Sequence, residues 1–319
     1  MKKFKLLSII VVGIFLVFLI IIKLAEKPED ILQKHLKNRY NKEFVIYYGG
    51  NRSDGRSKWF EAEIYPKELV GTIREYDKYY WAKGFVENGK GGDTYGGVLL
   101  NESANEFYLP KLKELFGENV LPVLNVEGYY EKTDFQEEMA RRREFYQEDP
   151  DGKFFPISGG IYIFGRVEND KDREKYREEI YKFLSFMKET GTFEYVDLEF
   201  YIKDERMLSK AFNNSLDREK MKELGNAVAT KTRNKIYQKY DDDYKSTSQE
   251  YKNSWIENVS KSNVKEDTFG VSLLYSRVIS PKHIKSNGWD TDKDMGFEIR
   301  EYSNLKDIKF DLEGWKNQE

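Results

Sequence analysis

No cysteine occurs anywhere in the 319 residues, so the chain forms no disulfide and carries no lipid-modified cysteine at a processing site. An exported chain of this kind folds on core packing alone, and 15% aromatic residues supply ample apolar surface for that. The absence fits a bacterial envelope better than a disulfide-stapled secreted scaffold. Histidine is scarce as well. His35 lies on a helix face beside Leu36 and His283 in a Pro-containing loop, and neither has neighbours that suggest a zinc site or a catalytic triad. Positive charge is not in excess either: residues 1–27 hold five Lys and one Glu, and removing them from 53 basic and 56 acidic residues leaves 48 and 55, a net charge of −7. A surface that neutralises phosphate carries the opposite sign, so nucleic acid is not an expected partner.

Long apolar runs are also missing, with one exception. After Met1–Lys5 (MKKFK), seventeen uncharged residues run from Leu6 to Ile22 and stop at Lys23. That length is at the lower limit for a helix crossing a bilayer. A cleaved signal needs small residues after its apolar stretch, and the only one near the exit is Ala25, with Lys23 two places before it. The sequence therefore predicts an uncleaved anchor spanning 6–22. Lys2, Lys3 and Lys5 precede the run, whereas Lys23 and Lys27 are diluted by Glu26, Glu29 and Asp30, which keeps the N-terminus cytosolic and residues 28–319 outside.

The expected fold class is α+β: a single N-terminal transmembrane helix in residues 1–27, a first subdomain over 28–148 and a second over 157–319, with mostly antiparallel sheets. Pro28 opens a helix whose Ile31, Leu32, Leu36 and Tyr40 form one stripe. Strands are expected at Phe44–Tyr48, Trp59–Tyr65, Tyr79–Val86 and Val120–Val126, with a turn-rich break at Gly49–Gly55 and a helix from about Glu102 to Gly117 that Pro110 restarts or kinks. Thr133 and Gln136 offer a capping box for a helix through Tyr146, and QEDPDGKFFP (147–156) reads as the boundary. A strand over Gly160–Val167, a helix capped by Asn169 and closed by Gly191, and a strand over Phe193–Ile202 resemble the β-α-β unit of split, ferredoxin-like sheets. A long polar helix over Leu216–Trp255 and strands at Phe269–Ile279 and Phe297–Tyr302 complete the expectation.

Chemistry-bearing patterns are few. GFVENGKG (Gly84–Gly91) has phosphate-loop spacing up to Lys90, but Gly91 stands where magnesium needs Ser or Thr and no helix follows, which leaves a glycine-rich hairpin. Asp290, Asp292, Asp294 and Glu301 hold positions 1, 3, 5 and 12 of a calcium loop, with Met295 where glycine should turn the chain; a solvated acidic turn is the alternative. Glu61 with Glu63, and Asp197 with Glu199, are carboxylate pairs on strands beside aromatics, and a glycoside hydrolase would need two such groups facing one sugar bond. Trp59, Glu61, Glu63 and Tyr65 echo Tyr195, Asp197, Glu199 and Tyr201, as either a duplicated module or two solvated faces of half-covered sheets would produce. The Asn-x-Ser sequons at Asn51, Asn101, Asn213 and Asn258 matter only in a eukaryotic secretory setting.

These features leave three function classes. The leading one is a membrane-anchored binding or scaffolding module at a bacterial cell envelope, with an envelope protein or glycan as partner and no cofactor. A glycan hydrolase using the strand carboxylates Glu61, Glu63, Asp197 and Glu199 is the alternative. A calcium-dependent adhesion or assembly component is the third.

Overall fold

The computed structural model describes residues 26–72, 75, 77–128, 132–148, 155–204, 272–288 and 299–313. The expected span at 6–22, the long helix at 216–255 and the calcium-loop residues Asp290, Asp292 and Asp294 lie outside them. Among the described residues no helix is long and apolar enough to cross a membrane. The chain is a mixed α+β protein with two sheets among the described residues, divided into two compact units: one ends at Val70 and resumes over Trp81–Tyr95, the other comprises Gly71–Tyr80 and everything from Gly96 onward.

The first unit is a helix on a four-stranded antiparallel sheet. The helix α1 (Pro28–Tyr40) carries Glu29 and Asp30 in its first turn, where the helix dipole favours negative charge, and ends at Asn41 in the left-handed conformation. The strands β1 (Phe44–Ser53), β2 (Lys58–Pro66), β3 (Ala82–Glu87) and β4 (Lys90–Asp93) lie in chain order. Leu32, Leu36 and Ile64 are fully buried between helix and sheet. Glycine lets the two surfaces approach: a Cβ at Gly84 would stand 2.7 Å from Leu32, and one at Gly91 2.6 Å from His35. At the far edge, Asp93 accepts hydrogen bonds from His35 Nε2 (2.7 Å), Tyr40 OH (2.6 Å), Arg39 (3.2 Å) and the Tyr95 backbone N–H (2.9 Å), locking α1 to β4.

The expected break after Tyr48 is instead a β-bulge. Pairing between β1 and β2 shifts between Tyr47 and Gly50 and then continues to Ser53, because one inserted bend re-aims a strand without ending it. GFVENGKG is the β3–β4 hairpin: Asn88 and Gly89 both have positive φ, 51° and 74°, as a tight two-residue turn demands.

Among the described residues the second unit packs three helices on one face of a five-stranded mixed sheet ordered β5 (Val120–Val126), β6 (Ile157–Gly165), β7 (Val196–Asp204), β8 (Ser272–Ile279) and β9 (Leu312–Glu313). The helices are α2 (Tyr95–Phe116, in this unit from Gly96), α3 (Phe135–Glu148) and α4 (Asp170–Glu189). Leu100, Ala104, Tyr108 and Leu112 recur every fourth residue along α2 and are all fully buried, so α2 runs back past the expected start at Glu102 and holds Pro110 inside it. On α4 the buried stripe is Ile180, Phe183, Leu184 and Met187, and Asn169 caps the helix by accepting from the backbone N–H groups of Lys171 and Asp172. Asp134, rather than Thr133, caps α3 by accepting from the Glu137 N–H.

β6 and β7 are parallel and directly hydrogen-bonded, with α4 as the crossover. A split, ferredoxin-like unit would hold another strand between them, so the β-α-β element is unsplit. The segment 147–156 joins α3 to β6, and β5 and β6 on either side of it are sheet neighbours. The expected boundary there falls inside the second unit, and the units divide instead near residues 70 and 95. A short helix α5 (Pro281–Ser286) follows β8. Over the described part, 299–302, the strand expected at Phe297–Tyr302 is not found: these residues make no strand pairing, and Tyr302 adopts positive φ.

Candidate functional site

Alternation along β2 sorts its side chains. Phe60, Ala62 and Ile64 are buried under α1, while Trp59, Glu61 and Glu63 are only partly covered on the opposite face. Cross-strand register brings Tyr47 and Lys83 beside Glu63, and Phe85 beside Glu61. Glu61 is held by its neighbours: Trp59 Nε1 donates to one carboxylate oxygen at 3.4 Å and Lys83 Nζ to the other at 3.3 Å. The indole N–H first, then Lys83, hold its carboxyl below the usual carboxylate range.

Aromatic rings fill the rest of this face. Trp81, just before β3, stacks on Tyr65 at 4.7 Å, and Tyr47 meets Trp81 edge-on at 5.3 Å. Tyr48 sits in the bulge at φ +48°, its ring 4.3 Å from that of Tyr47 and 77% exposed. A left-handed tyrosine costs about 1–2 kcal/mol of backbone energy. Gly49 beside it is required, since a Cβ there would stand 2.4 Å from the Phe60 ring. Phe85 lies against Gly92 on β4, and 38% of it is exposed. The outcome is a ridge of rings next to two carboxylates and an ammonium group, on a sheet whose other face is sealed by α1.

The second pair of strand carboxylates has a different setting. Asp197 and Glu199 share one face of β7, as alternation requires, but β8 supplies partners that local patterns do not reveal. Arg277 clasps Asp197 with two bonds of 2.8 Å. Glu199 accepts from Tyr201 OH at 2.7 Å and Tyr275 OH at 2.9 Å. Burial, then the Glu199 charge, pushes both phenols well above their ordinary pKa. Tyr162 stacks on Tyr201 at 5.1 Å. Lys203, at the end of this face, is fully buried, donates to Ser272 Oγ at 2.7 Å, and has its pKa driven down by desolvation. This is a packed polar network rather than an open surface.

The echo between the two strands stops at Tyr195. Trp59 borders the open face of its sheet, whereas Tyr195 precedes β7 in a single 3₁₀ turn, is buried in the core and stacks on Tyr146 at 5.7 Å. Of the four calcium-loop residues only Glu301 is described. It is exposed, and its backbone carbonyl accepts from Lys188 Nζ at 3.0 Å. Among the described residues no group of three or more His, Asp or Glu side chains could hold a metal ion. His35 serves Asp93, and His283 is buried within α5, where desolvation lowers its pKa.

Tyr47, Trp81, Lys83 and Phe85 join Trp59, Glu61 and Glu63 only through strand pairing. The alternation of β3 was the available signal, since Trp81, Lys83 and Phe85 are spaced two apart.

No family model matches the chain, and no curated protein matches it. Among solved structures it is similar to the crystal structure of a DUF5037 family protein from Ruminococcus gnavus ATCC 29149, at 15% identity over 57% of this chain and 77% of that one, with a TM-score of 0.32.

Proposed function

We propose that the chain is a single-pass, outward-facing binding module of a bacterial cell envelope, and that it holds glycan on the aromatic face of its first unit. The observation that carries the ligand assignment is the face itself. Sugar rings present C–H patches that lie against the electron-rich faces of Trp and Tyr, and hydroxyls that donate to carboxylates. Trp59, Tyr47, Tyr48, Trp81 and Phe85 supply rings, and Glu61 and Glu63 supply acceptors between them. The strained Tyr48 adds support, because a left-handed tyrosine persists only where surrounding structure holds it, and such residues concentrate at binding sites.

The anchor rests on the apolar run at 6–22 and the lysines before it. The hydrolase alternative has less support. Glu61, Asp197 and Glu199 each already accept hydrogen bonds from neighbouring side chains, and each pair comes from one strand at i, i+2 rather than from two sides of a bond.

Co-sedimentation of the detergent-solubilised chain with purified cell-wall sacculi tests the binding. Parent protein pellets with the wall; Tyr47→Ala and Trp81→Ala each weaken the association about fivefold to tenfold, the equivalent of about 1 kcal/mol per ring. Equal pelleting of parent and both variants would remove the face from the account. Recovery of a soluble mature form beginning near residue 26 would remove the anchor.

A further inference from the structure

In the second unit, a cleft of about 1070 Å³ opens between the C-terminal half of α3, the end of α4 and the short helix α5. Among the described residues four cations line it, Arg143, Lys188, Lys282 and Lys285, against the two carboxylates Glu194 and Glu301. In a chain whose net charge is −3, the described lining residues thus carry an excess of +2 around one concavity. Like charges converging on a pocket repel one another, and an anion seated among them relieves that repulsion.

The cations are not equally engaged. Lys282 Nζ sits 2.9 Å from Glu194 and over the stacked rings of Tyr146 and Tyr195, at 5.2 and 5.6 Å from their centroids. Lys188 Nζ donates to the carbonyls of Glu301 and Tyr302 at 3.0 and 2.9 Å and lies 4.8 Å from the Phe193 ring. These two are held in place in the cleft wall. Arg143 is exposed and makes one long bond of 3.4 Å to the Thr190 carbonyl, and Lys285 is exposed on α5. Gly191 makes the approach of Arg143 possible: its φ is +68°, and a Cβ there would stand 3.1 Å from the guanidinium. The volume is at the upper end for small-ligand sites, and Tyr146, Tyr195 and Phe193 are buried at its base beneath Lys282 and Lys188, so the accessible walls are polar and charged and suit an oxyanion.

We infer that this cleft is a binding site for an oxyanion, either a phosphoryl group or a carboxylate, carried on a small polar molecule such as a sugar. Arg143 and Lys285 make direct contact, and Lys188 and Lys282 supply the surrounding field. The site shares no residue with the aromatic face of the first unit.

Isothermal titration of the full chain in detergent at low salt, with glucose 1-phosphate and with glucuronate as probes, tests it and distinguishes the two anion sources. At least one probe binds, with affinity falling as salt rises. The exposed double substitution Arg143→Ala with Lys285→Ala weakens that binding about tenfold or more, since charge-assisted hydrogen bonds are lost. Lys309→Ala, an exposed cation of the same unit outside the cleft, leaves it unchanged. No heat from either probe at millimolar concentration overturns the inference, as does equal affinity in the double variant and the parent. Tyr47→Ala and Trp81→Ala leave this titration unchanged, so its failure and the failure of the glycan face are distinguishable.

Discussion

Glu138→Ala is expected to be among the most damaging single substitutions in the second unit. Glu138 and Arg142 lie one turn apart on α3, with side-chain exposures of 0% and 1%. Arg142 donates Nε to Glu138 at 3.1 Å, one terminal nitrogen to the Phe155 carbonyl at 2.6 Å and the other to the Glu127 carbonyl. The guanidinium thereby ties α3 to the chain beside the paired ends of β5 and β6. Desolvation dominates its surroundings and pulls its pKa below the ordinary arginine value, with the Glu138 hydrogen bond and charge as the main opposing influences. Removing that carboxylate leaves a buried cation facing carbonyl dipoles and the Tyr195 ring, with no counter-charge against its buried guanidinium, which costs about 3–5 kcal/mol. Arg141, also bonded to Glu138, is 28% exposed and can turn to water, so its loss adds little. Replacing both members, Glu138→Leu with Arg142→Met, removes the charge but orphans two carbonyls; the double variant should therefore be less damaged than Glu138→Ala alone. Urea unfolding followed by far-UV circular dichroism measures both. A loss under about 1 kcal/mol for Glu138→Ala would mean that water reaches Arg142, and the buried-charge argument would be wrong.

In the first unit, Asp93→Ala removes the acceptor shared by His35, Arg39, Tyr40 and the Tyr95 N–H; it should lower stability by about 3 kcal/mol, read as a fall in urea midpoint, whereas exposed Asp54→Ala should cost less than half as much. Lys203→Met should raise stability at neutral pH, because a buried lysine with a depressed pKa takes up a proton on unfolding. The unfolded state then binds more protons between the depressed value and the ordinary lysine range near 10.4, so parent stability rises with pH across that window and the advantage of the variant shrinks. Unfolding at pH 7 and pH 9 checks the sign, and an advantage that grows with pH would refute it. Gly159→Ala should be severely destabilising, since φ is +122° and the new Cβ would stand 2.3 Å from the Val123 carbonyl oxygen; a melting temperature within a degree or two of the parent would contradict the packing described for β5 and β6.

What was legible in the sequence was local. The stripe of Leu32 and Leu36 on α1, the alternation of β2, the run that became β5 and the Asn169 cap are each written within a few neighbouring residues, where side-chain periodicity reports one face. What depended on distant partners was not legible. β1 looked broken at Gly49 because a bulge and a turn share the same glycine-rich chemistry, and only pairing with β2 tells them apart. α2 starts at Tyr95 despite Gly96 and Gly97, because buried Val98 and Leu100 outweigh the weak helix propensity of glycine. The unsplit arrangement of β6 and β7 is a matter of strand order, which no local pattern encodes. For the sites, Asp197 and Glu199 were identified as a pair, but Arg277, 80 residues away, determines that Asp197 is clasped. The aromatic face was half visible through Trp59 and Tyr65, and it needed register to add Tyr47, Trp81 and Phe85.

Saturation-transfer NMR between the chain and soluble cell-wall glycan fragments tests the central claim most directly. Irradiating the aromatic envelope should carry magnetisation into the sugar C–H protons, because Trp81, Tyr47 and Tyr48 would lie against them in the complex. The transfer should fall sharply in Tyr47→Ala with Trp81→Ala and persist in Arg143→Ala. Transfer that is undiminished in the aromatic double variant, or absent from the parent at millimolar glycan, would contradict a glycan-binding role for this face.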